Sequence, residues 1–401
     1  MKVTELWKPS DPAFISDPYP AYEKITQSFP VFKANTGDYV IANYADAKAL
    51  LADRDCKSGV RAGWVKRMTE YASGKGINLS IIRAAVSSML IETNPPDHTA
   101  VRAVFARDWP STTSLKNKAE EICQEIWERL PASFDAVTEI SRKLPVFMIS
   151  DVIGLKREEG LKYVNDGFTL VQLLNPYLTF KDLLRIRDAS VKLYSFFEDF
   201  LSEVDVQEEN LAASLKRLVR NNRVETLDPV SSLTFLFVAG FETTSTLITL
   251  CLDRLLSDRM LADQMENDQQ IENYVKEIVR LYSPAQLVGR VNGKRMVLSG
   301  IEIPENSMLT ISLGAANRDP RHFENPHQID LNRTKYDHLA FGYGMHHCLG
   351  SQMAQVEAGV AVKTFLPMIK KASKLGELQS AGKYAVKSYQ SMKLQVGNNE
   401  G

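Results

Sequence analysis

Apolar residues recur at helical spacing over 115–130 and again over 183–204, with charged residues between them, so two long amphipathic helices are expected there. From 229 to 252 the only charged residue is Glu242, so 230–256 reads as a helix buried in the core. Another helix is expected over 271–281, stopped by the Ser283-Pro284 step. Residues 38–43 read as a strand leading into a helix over 44–53. The stretch 291–311 alternates, carries Gly300 and Pro304, and reads as short strands. Residues 317–337 are polar and turn-rich. A last long helix is expected from about 350 to 365, with Pro367 just beyond its end. The pattern predicts a mainly α chain with a minor β region.

The 401 residues are 44% apolar and 24% charged, with a formal net charge of −1. A large core is available, and the near-neutral balance gives no electrostatic case for nucleic acid. No repeat, low-complexity tract or linker divides the chain, so 1–401 is expected to form one domain, with 391–401 as a flexible tail. Residues 229–252 hold one charged side chain, Glu242, and eight Ser or Thr residues. Their length could span a bilayer. A central carboxylate and so many hydroxyls are costly in lipid, so a core helix and no membrane association are expected. The first thirty residues mix charges with five prolines and show no secretory leader, which points to a cytoplasmic protein. The four cysteines, Cys56, Cys123, Cys251 and Cys348, stand far apart without a C-x-x-C pair. Zinc and iron–sulfur sites need several thiolates close together, so any cysteine chemistry must come from one thiol.

The string Phe341-Gly342-Tyr343-Gly344-Met345-His346-His347-Cys348-Leu349-Gly350 singles out that thiol. Its glycines permit positive φ and a close approach of backbone to a flat ligand. A cysteine just before a helix gains from the helix dipole and from N–H donors, which lower its pKa toward the metal-binding thiolate. The string fits F-G-x-G-x-H-x-C-x-G at every fixed position and resembles the cysteine-ligand loop of the cytochrome P-450 family. The resemblance implies that Cys348 is the proximal iron ligand of a haem b, with Phe341, Gly342 and Gly350 lining the cofactor. It also implies that His346 bonds a haem propionate.

A second string, Ala239-Gly240-Phe241-Glu242-Thr243-Thr244, lies inside the expected core helix. Small residues at 239 and 240 leave room beside a ligand. A threonine hydroxyl can bond back to a helix carbonyl and open the helix locally. A carboxylate in an apolar helix must be paired or functional. On residues alone, Glu242 is either half of a structural ion pair or a proton donor. The string resembles the family's A-G-x-(D/E)-T-(T/S), which implies that Glu242 relays protons and Thr243 orders water beside the cofactor.

Supporting strings extend the likeness over about residues 10–370. Glu277 and Arg280 stand at i and i+3. They resemble the family's E-x-x-R pair, which Arg333 would complete; Ile329 departs from the aromatic usual nearby. His98 and Arg102 stand at i and i+4 and could share one anionic group. With Arg290 they match family propionate-binding positions. Leu236, Ala239, Leu287 and Val288 are the expected substrate-pocket residues.

The resemblance implies a triangular, single-domain haem-thiolate monooxygenase. It would use O2 and two electrons to hydroxylate or epoxidise a small hydrophobic molecule, as in secondary metabolism. Oxidative coupling or desaturation at the same centre, and a haem sensor or carrier without turnover, remain the competing readings. No redox domain fits after the haem domain, so a ferredoxin or flavodoxin with its NAD(P)H reductase is the expected electron source, and a monomer the expected state. Lys116 and Lys118 are equally a docking face for that partner or solvated lysines. Residues 57–90 carry six Lys or Arg against one acid, Glu70. That excess fits an anionic or carrier-protein-tethered substrate, and also a plain solvated helix face.

Overall fold

The computed structural model describes residues 2–87, 89–175, 178–220 and 228–397. Half of the ten helices that build its core start where a side chain can satisfy orphan N–H groups of the first turn. Asn43 opens α1 (Tyr44–Ala52) by accepting from the Asp46 N–H. Then come α2 (Val60–Ser73) and α3 (Asp97–Arg107). Ser111 caps α4 (Thr112–Glu128). After α5 (Lys143–Ile153) and α6 (Val164–Leu170), Thr179 and Asp182 form a capping box on α7 (Phe180–Glu203). Asp228 accepts from the N–H groups of Val230 and Ser231 at the head of α8 (Pro229–Ser257). Asn267 caps α9 (Asp268–Tyr282), and Gly350 precedes α10 (Ser351–Ile369).

The charge-poor segment becomes α8, which packs against α5, α6, α7, α9 and α10. Phe237, Phe241, Ile248, Leu252 and Leu255 are fully enclosed. Its hydroxyls find carbonyls nearby: Thr234 donates to Val230 O at 2.7 Å, Thr249 to Ser245 O at 2.8 Å and Thr246 to Lys387 O at 2.7 Å. α8 is long and apolar enough to cross a membrane, and 72% of its most apolar window is buried inside this fold. It is therefore the core helix expected from its polar content.

Eight strands matter here: β1 (Val31–Lys33), β2 (Tyr39–Ile41), β3 (Cys56–Lys57), β4 (Ser133–Asp135), β5 (Leu287–Asn292), β6 (Met308–Ser312), β7 (Ala372–Lys374) and β8 (Lys393–Val396). One sheet runs β1-β2-β6-β5-β3, with β2 and β6 parallel and the other pairs antiparallel. Leu287 faces Ser312 and Arg290 faces Leu309 across the β5–β6 pair. A second sheet runs β4-β8-β7.

Two expectations fail at the C-terminal end. Residues 391–396 are no tail: β8 is the central strand of its sheet, with Leu394 fully buried. Residues 398–401 of the expected tail lie outside the described residues. Pro367 lies inside α10 rather than beyond it. Its missing N–H removes one bond, but the final turn still closes through Lys370 N to Leu366 O at 3.0 Å.

Candidate functional site

Cys348 sits at the end of a closed loop. Its N–H bonds Phe341 O at 2.8 Å, and Gly342 N bonds Leu339 O at 2.8 Å. Gly342 and Gly344 hold φ of 71° and 69°, left-handed values that side chains rarely adopt. A Cβ on Gly344 would lie 2.6 Å from Leu51 O, so this glycine lets the loop pass directly over the end of α1. Cys348 is the exposed cysteine of the four; Cys56, Cys123 and Cys251 are buried. Yet burial pushes the Cys348 thiol up, against the Gly350 N–H and the Arg102 charge, which pull it down. An atom that water can reach but that protein largely surrounds lies on the wall of a cleft.

The basic residues converge beside it. His98 and His346 lie with ring centroids 4.3 Å apart. His346 Nε2 is 3.1 Å from Ser58 Oγ. His98 Nε2 and His346 Nδ1 are buried with no partner. Arg290 is 3% exposed, and its one recorded hydrogen bond goes to its neighbour Gly289 O at 2.8 Å. Burial, then the charges of Arg290, His98 and Arg102, push His346 down to about 3. Burial and the charges of Arg102 and Arg290 lower His98 as well. The Arg102 charge acts on both histidines and on Cys348, so these groups lie near one another. Two arginine charges beside neutral histidines with orphaned ring nitrogens suit an incoming dianion. A haem, with two carboxylates and an iron that needs a soft anionic ligand, fits this donor set.

On α8, Leu236, Ala239, Gly240 and Thr243 remain partly open, while Phe237, Val238, Phe241 and Glu242 are buried. The spacing i, i+3, i+4, i+7 makes the open positions one stripe of the helix. Thr243 Oγ1 points back to Ala239 O at 3.4 Å. Gly240 departs from expectation, because a Cβ there would sit 2.7 Å from Ile149 Cγ1. Its smallness serves the close packing of α8 on α5 rather than room for a ligand. Cys348 leads into α10, which packs on α8, so the thiol and the stripe belong to adjoining elements.

Glu242 is wholly buried, with no hydrogen bond to either oxygen. Lys383 Nζ lies 3.6 Å from Oε1, an ion pair too long to be a hydrogen bond. Burial raises the Glu242 carboxyl, opposed by Lys383 and Arg142. Both cations come from remote parts of the chain, and no local spacing could have revealed them. Ser58, the His346 partner, was equally hidden.

Leu287 and Val288 line a cavity of about 250 Å³ together with Val60, Trp64, Ile91 and Leu174. Leu236 and Ala239 are not among its lining residues. A second, more polar cavity of about 590 Å³ adjoins Lys383 and Arg142. The first is the better substrate candidate because it is mostly apolar and reaches Arg290.

The E-x-x-R pair is a closed network. Arg280 Nε and Nη2 reach Glu277 Oε1 and Oε2 at 2.7 and 2.9 Å, and Arg333 Nε reaches Oε1 at 2.9 Å. Arg280 also donates to Asn317 O, Pro326 O and Gln328 O. Burial would raise Glu277, but these cations and the Asp330 N–H hold it below its ordinary value. Lys116 and Lys118 are both engaged at the surface, the former with Asp268 at 3.7 Å, the latter with Glu121 at 3.1 Å and Asp151 at 3.6 Å.

The cytochrome P450 family profile matches residues 173–368. The biotin biosynthesis cytochrome P450 of Bacillus subtilis is 27% identical over 365 residues, covering 88% of this chain and 89% of that protein. Cytochrome P450 107B1 of Saccharopolyspora erythraea is 26% identical over 374 residues, covering 89% of this chain and 88% of that one. The crystal structure of P450BioI with an acyl carrier protein bearing hexadec-9Z-enoic acid superposes with a TM-score of 0.87 at 22% identity. It covers 96% of this chain and 100% of that one.

Proposed function

We propose that this chain is a cytochrome P450 monooxygenase that binds haem b through Cys348 and hydroxylates or epoxidises a small hydrophobic molecule of secondary metabolism. The observation that carries the reading is the gathering near one exposed thiol of the charges of Arg102 and Arg290 and of two histidines, His98 and His346, each with a buried ring nitrogen that has no partner among the described residues. Haem, when bound, supplies the activation of O2. Cys348 would hold the iron, and the four bases would hold the propionates, with Phe341, Gly342 and Gly350 shaping the loop around the sulfur. Leu287 and Val288 keep water away from an apolar substrate. Thr243 presents its hydroxyl on the open stripe of α8 and orders water there, while Glu242 stores a proton in the dry interior behind it.

Electrons would come from a separate ferredoxin or flavodoxin and its NAD(P)H reductase. The burial of α8 supports a cytoplasmic protein, and a monomer is the simplest assembly. The decisive test is optical. With haem bound, the ferrous–CO spectrum of the wild type is expected to be of thiolate type, and Cys348→Ser to lose that signature. A Cys348→Ser protein that retained it would overturn the assignment. Product analysis then separates oxygen insertion from coupling or desaturation, and absence of substrate-dependent NAD(P)H oxidation would return the sensor reading.

One observation favours a substrate with an anionic end, free or attached to a carrier. Arg61 and Arg67 line the apolar cavity, set against Glu92 and Asp38, and among the described residues the Arg61 guanidinium donates to Leu174 O at 3.3 Å. P450BioI, the structural relative, was crystallised with its fatty acid on an acyl carrier protein. Titration with a long-chain acid, its methyl ester and its carrier-bound form separates these cases. Equal affinity for all three would dismiss the charge preference.

A further inference from the structure

The route by which Glu242 is charged with protons is not given by its own helix. Its carboxylate is sealed from solvent, and an ionised carboxylate in such a place is costly unless paired. Two cations face it. Arg142, at the entrance to α5, directs Nη2 at Tyr389 O at 3.0 Å, stacks 4.7 Å from the Phe168 ring centroid and is also within the field of Asp135. Lys383, in the loop before β8, donates to Phe168 O at 2.8 Å and sits 3.6 Å from Glu242 Oε1. The Lys383 side chain keeps 16% of its surface exposed while Glu242 keeps none. Its outer flank opens into the polar cavity of about 590 Å³, whose walls include Asn165, Gln172, Asp182 and Arg185. One flexible amine thus spans the distance from a polar, water-accessible chamber to the enclosed acid.

We propose that Lys383 is the proton inlet of this enzyme, passing a proton from the polar cavity to Glu242. In the transfer an N–H bond of the Lys383 ammonium breaks and an O–H bond forms on Glu242, leaving a neutral amine and a neutral acid. The amine then takes a proton from water in the cavity, and no electron moves. Burial supports the exchange from both sides. It raises the Glu242 carboxyl and lowers the Lys383 ammonium, narrowing the gap of about six units that separates a free glutamate from a free lysine. Lys383 acts through Glu242 and touches no substrate, so it is a positioning and relay residue. The inference rests on the reading that Glu242 supplies protons to the chemistry.

The test compares Lys383→Met, Lys383→Arg and Glu242→Gln in the haem-loaded full chain. Infrared difference spectra against Glu242→Gln assign the Glu242 carboxyl band. In Lys383→Met that band is expected to persist to higher pH than in the wild type, because the cation that favours ionisation is gone. The fraction of electrons recovered in product should fall by roughly tenfold or more, with a larger solvent deuterium isotope effect. Lys383→Arg separates relay from counter-ion. Arginine restores the charge and the carboxyl titration but does not release its proton, so coupling should stay low. Full recovery in Lys383→Arg, or wild-type behaviour in Lys383→Met, would overturn the inlet. Unchanged coupling in Glu242→Gln would instead overturn the premise about Glu242.

Discussion

At the scale of single residues, the buried charges have opposite fates according to their partners. Glu277 is held by two arginines and a backbone N–H, so its ionised form belongs to the native state. Glu277→Gln removes one charge and leaves Arg280 enclosed without it, a loss expected to cost about 3–5 kcal/mol and readable by thermal unfolding. The sign with pH follows from the lowered carboxyl. Its stabilising contribution is complete above the unfolded glutamate value of about 4.3 and fades as pH falls through the lower folded value. The variant should therefore show a flatter acid limb than the wild type. Glu277 was legible because its i, i+3 partner is local. Glu357 was not: both its oxygens are buried without a partner, and burial raises its pKa well above the ordinary value. Nothing in its local spacing marks it as different from a surface glutamate.

At the scale of elements, helices were easy to read where apolar spacing or a capping side chain fixed them, as in α4, α7 and α8. The connections were harder, because their geometry answers to distant backbone. The cysteine loop shows why. Its residue types announced a ligand site, but the contact that requires Gly344, an approach to Leu51 O, joins two segments remote in sequence. Gly344→Ala would impose a side chain at a φ of 69° and a contact of 2.6 Å with backbone that cannot yield. The loop must then lift from α1, at an expected cost of about 1–3 kcal/mol. Weaker haem retention during dialysis should accompany it, since His346 and Cys348 move with the loop. Pro367 teaches the converse lesson: one missing N–H near a helix end is tolerable where packing continues, and Phe365 and Ile369 on either side are fully buried.

At the scale of the whole molecule, the C-terminal segment ties the substrate side to the core, which hydrophobic patterning over its last residues could not reveal. Ala385 and Val386 line the apolar cavity, Lys383 faces Glu242, and Lys387 O holds the Thr246 hydroxyl of α8. Besides these contacts, the end of the segment is held by β8, paired on both sides and with Leu394 fully buried, and by the buried Met392 just before it. Ending the chain after Gly397 removes none of these contacts and should leave the unfolding midpoint unchanged. Ending it after Gln390 strips two core side chains, each costing about 2–5 kcal/mol on the scale of large core deletions, and leaves β4 and β7 unpaired. Calorimetry on the two truncations should show a large fall for the shorter chain alone. A chain ending at Gln390 that unfolded at the wild-type temperature would mean that the second sheet is not what holds this segment to the core.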